Sequence, residues 1–239
     1  SCFPELTGHI HLHTSMQPQP LTPRTAFDWK IYAQATFAGL SPLIPVPILD
    51  WIVEEYFRRR MPQAIAHARG YGLSREVVGV LNRGGESCLA SCLVFPLRLL
   101  VEILKSLSRK LLYVLSIKEA SDRISYYWHQ AFLMDYMLMA GHLGEVESAV
   151  AARQAMDRVL HRIQTSPLEQ LAGQVVESSG QILRRLRRAR QNPDDPAMQN
   201  QRRLLTQRWS EFSDYLTQVA VDYHRTYLEI RTPEATEEN

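Results

Sequence analysis

Apolar residues recur along most of this chain in steps of three and four. The clearest run is Leu205, Trp209, Phe212, Leu216, Val219, Tyr223, Thr226 and Ile230, which holds that rhythm for more than three heptads. The same spacing joins Ala149, Ala152, Met156, Val159 and Ile163, and earlier Ile117, Ala120, Ile124, Tyr127, Ala131, Met134 and Leu138. A further seam runs through Leu93, Leu97, Leu100, Leu104, Leu107, Leu111 and Val114. Its step of three repeats at Ile117, and the stretch from Ser116 to Glu119 has capping-box spacing, so a helix break is expected at Ser116. Gly141 and Gly144 offer C-terminal caps, and Ser166, Pro167 and Glu169 spell the start of another helix, with seam Leu168, Leu171, Val175, Ser179, Ile182, Leu186 and Ala189. No strand pattern competes. The expected fold is all-α, with an antiparallel bundle over residues 86–232.

The N-terminal part differs in kind. Thr22 and Pro23 are read as a helix cap and first turn, after which the chain grows steadily more apolar. Residues 31–53 carry a single charge, Asp50, over the length of a membrane span. Pro42, Pro45 and Pro47 forbid a continuous helix there, because each removes a backbone donor and pushes its predecessor out of the helical region. Two arms and a turn remain, a Pro-broken apolar hairpin region over residues 22–85, either covered by the bundle or dipped into a membrane surface. Its second arm is expected to present Leu49, Ile52, Val53, Tyr56 and Phe57 on one face. The other face pairs Glu54 with Arg58 and Glu55 with Arg59. Pro62 should kink this helix and Gly70 to Gly72 end it. Together with the triplet Arg58, Arg59 and Arg60, the apolar face forms a candidate contact with an anionic membrane surface.

The order of an apolar segment, the turn Pro45 and Pro47 followed by Asp50, an amphipathic helix, and then Tyr71 and Gly72 resembles a module of EcsC-like bacterial proteins. It is also similar to GTPase-linked bacterial helical domains of unknown function that associate with membranes. The resemblance covers residues 35–72 and implies membrane proximity, not a reaction.

Composition narrows the remaining classes. A chain of 239 residues with 45% hydrophobic content can bury a real core. Three cysteines form no disulfide framework, and residues 1–15 lack a secretory pattern, so a cytoplasmic protein, at most at the inner face of the membrane, is expected. Met16 reads as the natural start, with the preceding residues a vector scar or an over-extended reading frame. Residues 1–21 and the acidic end 233–239 are expected to be disordered, His9, His11 and His13 included. Net charge is only +2, so a nucleic-acid partner is disfavoured. The strongest basic patch, Arg184, Arg185, Arg187, Arg188 and Arg190, fits an anionic membrane or an acidic protein partner equally well. An exposed seam would also recruit a second copy.

Hydrolase, zinc-protease and nucleotide-binding motifs are absent, and no histidine follows a glutamate by three residues, which removes the di-iron bundle. No metal or cofactor is expected. Cys88 and Cys92 read as small buried hydrophobes. The most pocket-like stretch is residues 126–142, where His129, Asp135 and His142 sit among methionines and aromatics. The leading reading is therefore non-catalytic, membrane-surface association or assembly by helix packing. The alternative is a soluble bundle with a ligand pocket or enzymatic site in that stretch.

Overall fold

A computed structural model describes residues 21–44, 49–83, 109–163, 166–177, 203 and 205–232, with side chains described from residue 115 onward in the third span. The helix seam at residues 93–114, Cys88 and Cys92, the arginine patch at 184–190 and both chain ends lie outside the described residues or their described side chains. Every regular element among the described residues is helical, as expected. In chain order these are α1 (Trp29–Gly39), a 3₁₀ turn (Ser41–Leu43), α2 (Leu49–Ala68), α3 (Arg75–Arg83), α4 (Arg109–Met139), α5 (Val146–Arg162), α6 (residues 168–177), a 3₁₀ turn (Ser210–Phe212) and α7 (Ser213–Arg231).

α4 is the axis of the fold, and it runs without a break through Ser116. The extra step of three rotates the seam around one continuous helix, because a serine there leaves every backbone donor in place, unlike a proline. Its expected stripe is buried from Ala120 on, where Ala120, Ile124, Tyr127, Ala131, Met134 and Leu138 are all at or below 7% exposure, and Ile117 is partly covered. From Tyr127 to Leu138 every face is buried, with Trp128, Phe132, Leu133 and Met137 nearly inaccessible, while Lys118, Glu119, Asp122 and Tyr126 leave one face of the first half exposed. A stretch covered on all sides is interior, so the second half of α4 is the part that lies in the core.

The first arm of the hairpin is what covers one side of it. α1 packs against α4 and α2, burying Ile31, Tyr32, Ala35 and Ala38. Its cap is Asp28, whose carboxylate accepts from the Lys30 N–H at 3.0 Å, rather than Thr22. Thr25 instead meets Ser213 at 2.7 Å, so the segment before Asp28 is fastened to α7 and cannot extend the helix. The crossing with α4 is closer than side chains allow. A Cβ on Gly39 would lie 2.5 Å from the Ile124 Cα, so only glycine fits. At the opposite end Phe27, Tyr32, Trp128 and Trp209 form an aromatic junction, with the Tyr32 and Trp209 rings 4.5 Å apart. Trp128 Nε1 donates to Thr36 Oγ1 at 2.9 Å, satisfying its one polar atom.

Local signals place the helix ends well. Gly70 and Gly141 both have φ of +75°, and each closes its helix with the paired backbone bonds of a Schellman motif: Tyr71 to Ala66 and Gly70 to His67, His142 to Met137 and Gly141 to Leu138. Ser166 caps α6 as read, with Leu168 N–H donating to its Oγ at 3.1 Å and its own N–H donating to Glu169 at 3.2 Å. α5 buries Ala149, Ala152, Met156 and Val159 against α7 and α3. Most of the C-terminal seam is also buried, with Phe212 and Ile230 partly covered, but the helix is interrupted by the 3₁₀ turn at Ser210–Phe212. α2 continues through Pro62 to Ala68, with that proline buried.

Candidate functional site

Two regions of the surface carry chemistry that packing alone does not use. The first is the N-terminal half of α2. Leu49, Trp51, Ile52 and Tyr56 are 44%, 42%, 48% and 52% exposed. Leu49, Ile52, Tyr56 and Arg59 fall on one helical stripe, and Arg60 lies over the Tyr56 ring with its guanidinium carbon 5.0 Å from the centroid. A surface helix ordinarily turns its polar residues outward, so this stripe is reversed in character.

The residues beside it turn inward. Val53 and Phe57 are partly covered, with Phe57 5.2 Å from Phe37 of α1. The expected pair Glu54–Arg58 does not form. Arg58 binds Glu55 at 2.9 Å and the Asn82 carbonyl at 3.3 Å, while Glu54 reaches across to Arg123 and Tyr127 of α4. The reason is that α2 lies against α4 and the end of α3, whose groups compete successfully for both side chains. Arg153 of α5 donates to the adjacent Leu81 carbonyl at 2.8 Å, so two arginines satisfy the open C-terminal carbonyls of α3. Glu55 also binds Arg59, and its carboxyl is held below the usual range, chiefly by the hydrogen bonds from Arg58. Trp51 is the member of the exposed patch that helical-face reasoning from the sequence missed.

The second region is a cleft of about 400 Å³ between α4, the end of α5 and the start of α6. One stripe of α4 forms its long wall, with Lys118, Asp122, Ser125, Tyr126 and His129 in successive turns. Leu160 and Ile163 face it from the end of α5, and Ser166 and Glu169 from the cap of α6. His129 is 1% exposed and closes the floor. Its Nδ1–H donates to the Ser125 carbonyl at 2.7 Å, which leaves Nε2 as an acceptor. Tyr215 Oη donates to that nitrogen at 2.8 Å, and Ser166 Oγ stands 3.3 Å from it. Burial holds the imidazole neutral, with its pKa down to about 4.

A serine beside a histidine invites a nucleophilic reading, and the geometry argues against it. The imidazole is a poor base, Tyr215 already occupies its acceptor, and the N–H groups of Ser166 and Leu168 are committed to the capping box. Neither of those N–H groups is therefore free to stabilise a developing oxyanion.

The three expected pocket residues do not converge. Asp135 is buried on another face of α4, in a bidentate pair with Arg69 at 2.7 Å for each bond. His142 sits at the end of α4, stacked on Tyr227 at 3.8 Å and bonded to Tyr223 Oη at 2.9 Å; its pKa falls to about 4, mainly through burial. Six and thirteen positions from His129, they point to different neighbours, so residues 126–142 form core packing and only Tyr126 and His129 line the cleft. The missed wall residues Lys118 and Asp122 carry a legible signal, a polar stripe on an otherwise apolar helix. Among the described residues, no cluster of three or more histidine, cysteine or acidic side chains could hold a metal ion, and no helix is long and apolar enough to cross a membrane. No family model, curated protein or solved structure matches the chain.

Proposed function

We propose that this protein acts without catalysis, by docking peripherally on an anionic membrane surface through the outward stripe of α2. The observation that carries the reading is the exposure of Leu49, Trp51, Ile52 and Tyr56 together, next to Arg59 and Arg60. Indole and phenol rings suit the headgroup level, where an apolar body and a polar edge are both satisfied. Each arginine near an anionic surface contributes about 1 kcal/mol. Arg58, bound inward to Glu55 and Asn82, is not part of this contact. The hairpin's first arm belongs to the core, so the lipid-facing part is one helical stripe lying in the interface rather than an inserted hairpin. The resemblance of residues 35–72 to EcsC-like modules points in the same direction.

Sedimentation with vesicles of phosphatidylcholine, with and without phosphatidylglycerol, tests this. The protein should pellet with the anionic vesicles at low salt, release as salt rises, and stay in the supernatant when Leu49→Asp and Ile52→Asp are combined. Equal recovery in the supernatant with both vesicle types at low salt would refute the reading. Release by reversing Arg184 and Arg185 alone, with the α2 variant still bound, would move the contact to that arginine patch.

A further inference from the structure

The hydrogens at the floor of the α4–α6 cleft have a direction. His129 sends its Nδ1 proton to the Ser125 carbonyl, and Tyr215 spends its proton on Nε2. The backbone N–H groups of Ser166 and Leu168 are both taken up by the helix cap. These groups turn no committed donor toward the cavity, and the Ser166 and Ser125 hydroxyls can each donate or accept there. Above them stand two carboxylates, Asp122 and Glu169, against one ammonium, Lys118, which leaves the walls one net negative charge. Tyr126 is 44% exposed and offers a ring face, and Leu160 and Ile163 supply an apolar side.

We propose that this cleft binds a small organic ammonium ion, a primary amine carried on an apolar body, with the charge between Asp122 and Glu169 and the body against Leu160, Ile163 and Tyr126. Two carboxylates against one ammonium favour a ligand that brings positive charge and donors, and an anion would leave the carboxylates opposed by like charge. The volume of about 400 Å³ falls at the small end of the range, about 300–1,000 Å³, that small-molecule sites occupy. The site is separate from the α2 stripe and does not depend on membrane docking.

Calorimetric titration of the full chain with phenethylamine tests the proposal, with phenylacetate as the probe of similar body and opposite charge. Phenethylamine should bind saturably and shift the ring resonances of His129, and phenylacetate should do neither. Combining Asp122→Asn with Glu169→Gln should raise the phenethylamine Kd at least about tenfold, the loss of one charge-assisted contact. Glutamine can still complete the capping box, so the unfolding midpoint should stay near that of the parent and separate lost binding from lost folding. Lys118→Met should tighten amine binding. Three results would each overturn the proposal: no saturable phenethylamine binding at millimolar concentration, phenylacetate binding as tightly, or an unchanged Kd in the folded double variant.

Discussion

α4 and α2 are both rich in aromatic and aliphatic residues, and they use them in opposite ways. α4 buries every residue from Tyr127 to Leu138, the polar His129, Gln130 and Asp135 included. α2 turns Val53, Phe57 and Arg58 partly inward but leaves Leu49, Trp51, Ile52 and Tyr56 in solvent. In α4 an apolar residue reports stability, because its removal opens a cavity. On the outer stripe of α2 it reports something still to be covered, because its removal changes no packing. The two tryptophans give the sharpest contrast. Trp128→Ala should cost about 3–5 kcal/mol, since it empties the aromatic junction with Trp209 and strips Thr36 of its donor. Trp51→Ala should stay within about 0.5 kcal/mol of the parent. Urea unfolding of both variants measures the difference, and comparable losses would erase the distinction between the helices.

Asp135 extends the contrast to charge. Its pair with Arg69 ties the end of α2 to α4, with 6% and 14% of the two side chains exposed. Asp135→Ala leaves a largely covered guanidinium without its partner and should cost about 3 kcal/mol. The exposed pair Arg225–Asp222 on α7 should lose less than about 1 kcal/mol on Asp222→Ala. Denaturant midpoints of the two variants rank them, and an equal loss would mean that burial adds nothing to the first pair.

A pH titration of stability sharpens the same point. His129 is neutral in the fold with a pKa of about 4, whereas the unfolded side chain titrates at 6.5. Below 6.5 the unfolded chain therefore binds a proton that the native chain refuses, so stability falls with falling pH across the window from 6.5 to about 4. The full penalty for His129 is roughly 3 kcal/mol at the bottom of that window. His142, also held at about 4 but less enclosed, adds a smaller share. In the variant His129→Gln the decline between pH 6.5 and 4 should be shallower, and an unchanged slope would place the titration elsewhere.

What the sequence made legible follows the range of the interaction. The capping box at Ser166 and Glu169, the glycine end at Gly141 and the buried stripe of α7 rest on residues a few positions apart, and all of them stand in the fold. The cap at Asp28, the uninterrupted passage through Ser116 and the partners of Glu54 and Arg58 depend on which helices lie beside one another. Local spacing favoured Thr22, a break, and an i, i+4 pair. The cleft shows the same limit. His129 stood out as a residue, but its partners Ser166 and Tyr215 are 37 and 86 positions away. No periodicity connects them. Gly39 is a similar case: its need for glycine comes from the Ile124 backbone in another helix.

A small expected effect on stability is also the most discriminating. Leu49 and Ile52 are about half exposed, so replacing both with aspartate removes little buried area and should shift the unfolding free energy by less than about 1 kcal/mol. Both positions lie in the first turn of α2, where added negative charge meets the favourable end of the helix dipole, which offsets part of even that loss. A core position treated in the same way would bury an unpaired carboxylate and unfold the domain. If the double variant keeps the parent's unfolding midpoint and loses anionic vesicles, the stripe is retained for contact rather than for folding. If its unfolding free energy drops by several kcal/mol, these side chains are packed against something after all, and the contrast between α2 and α4 collapses.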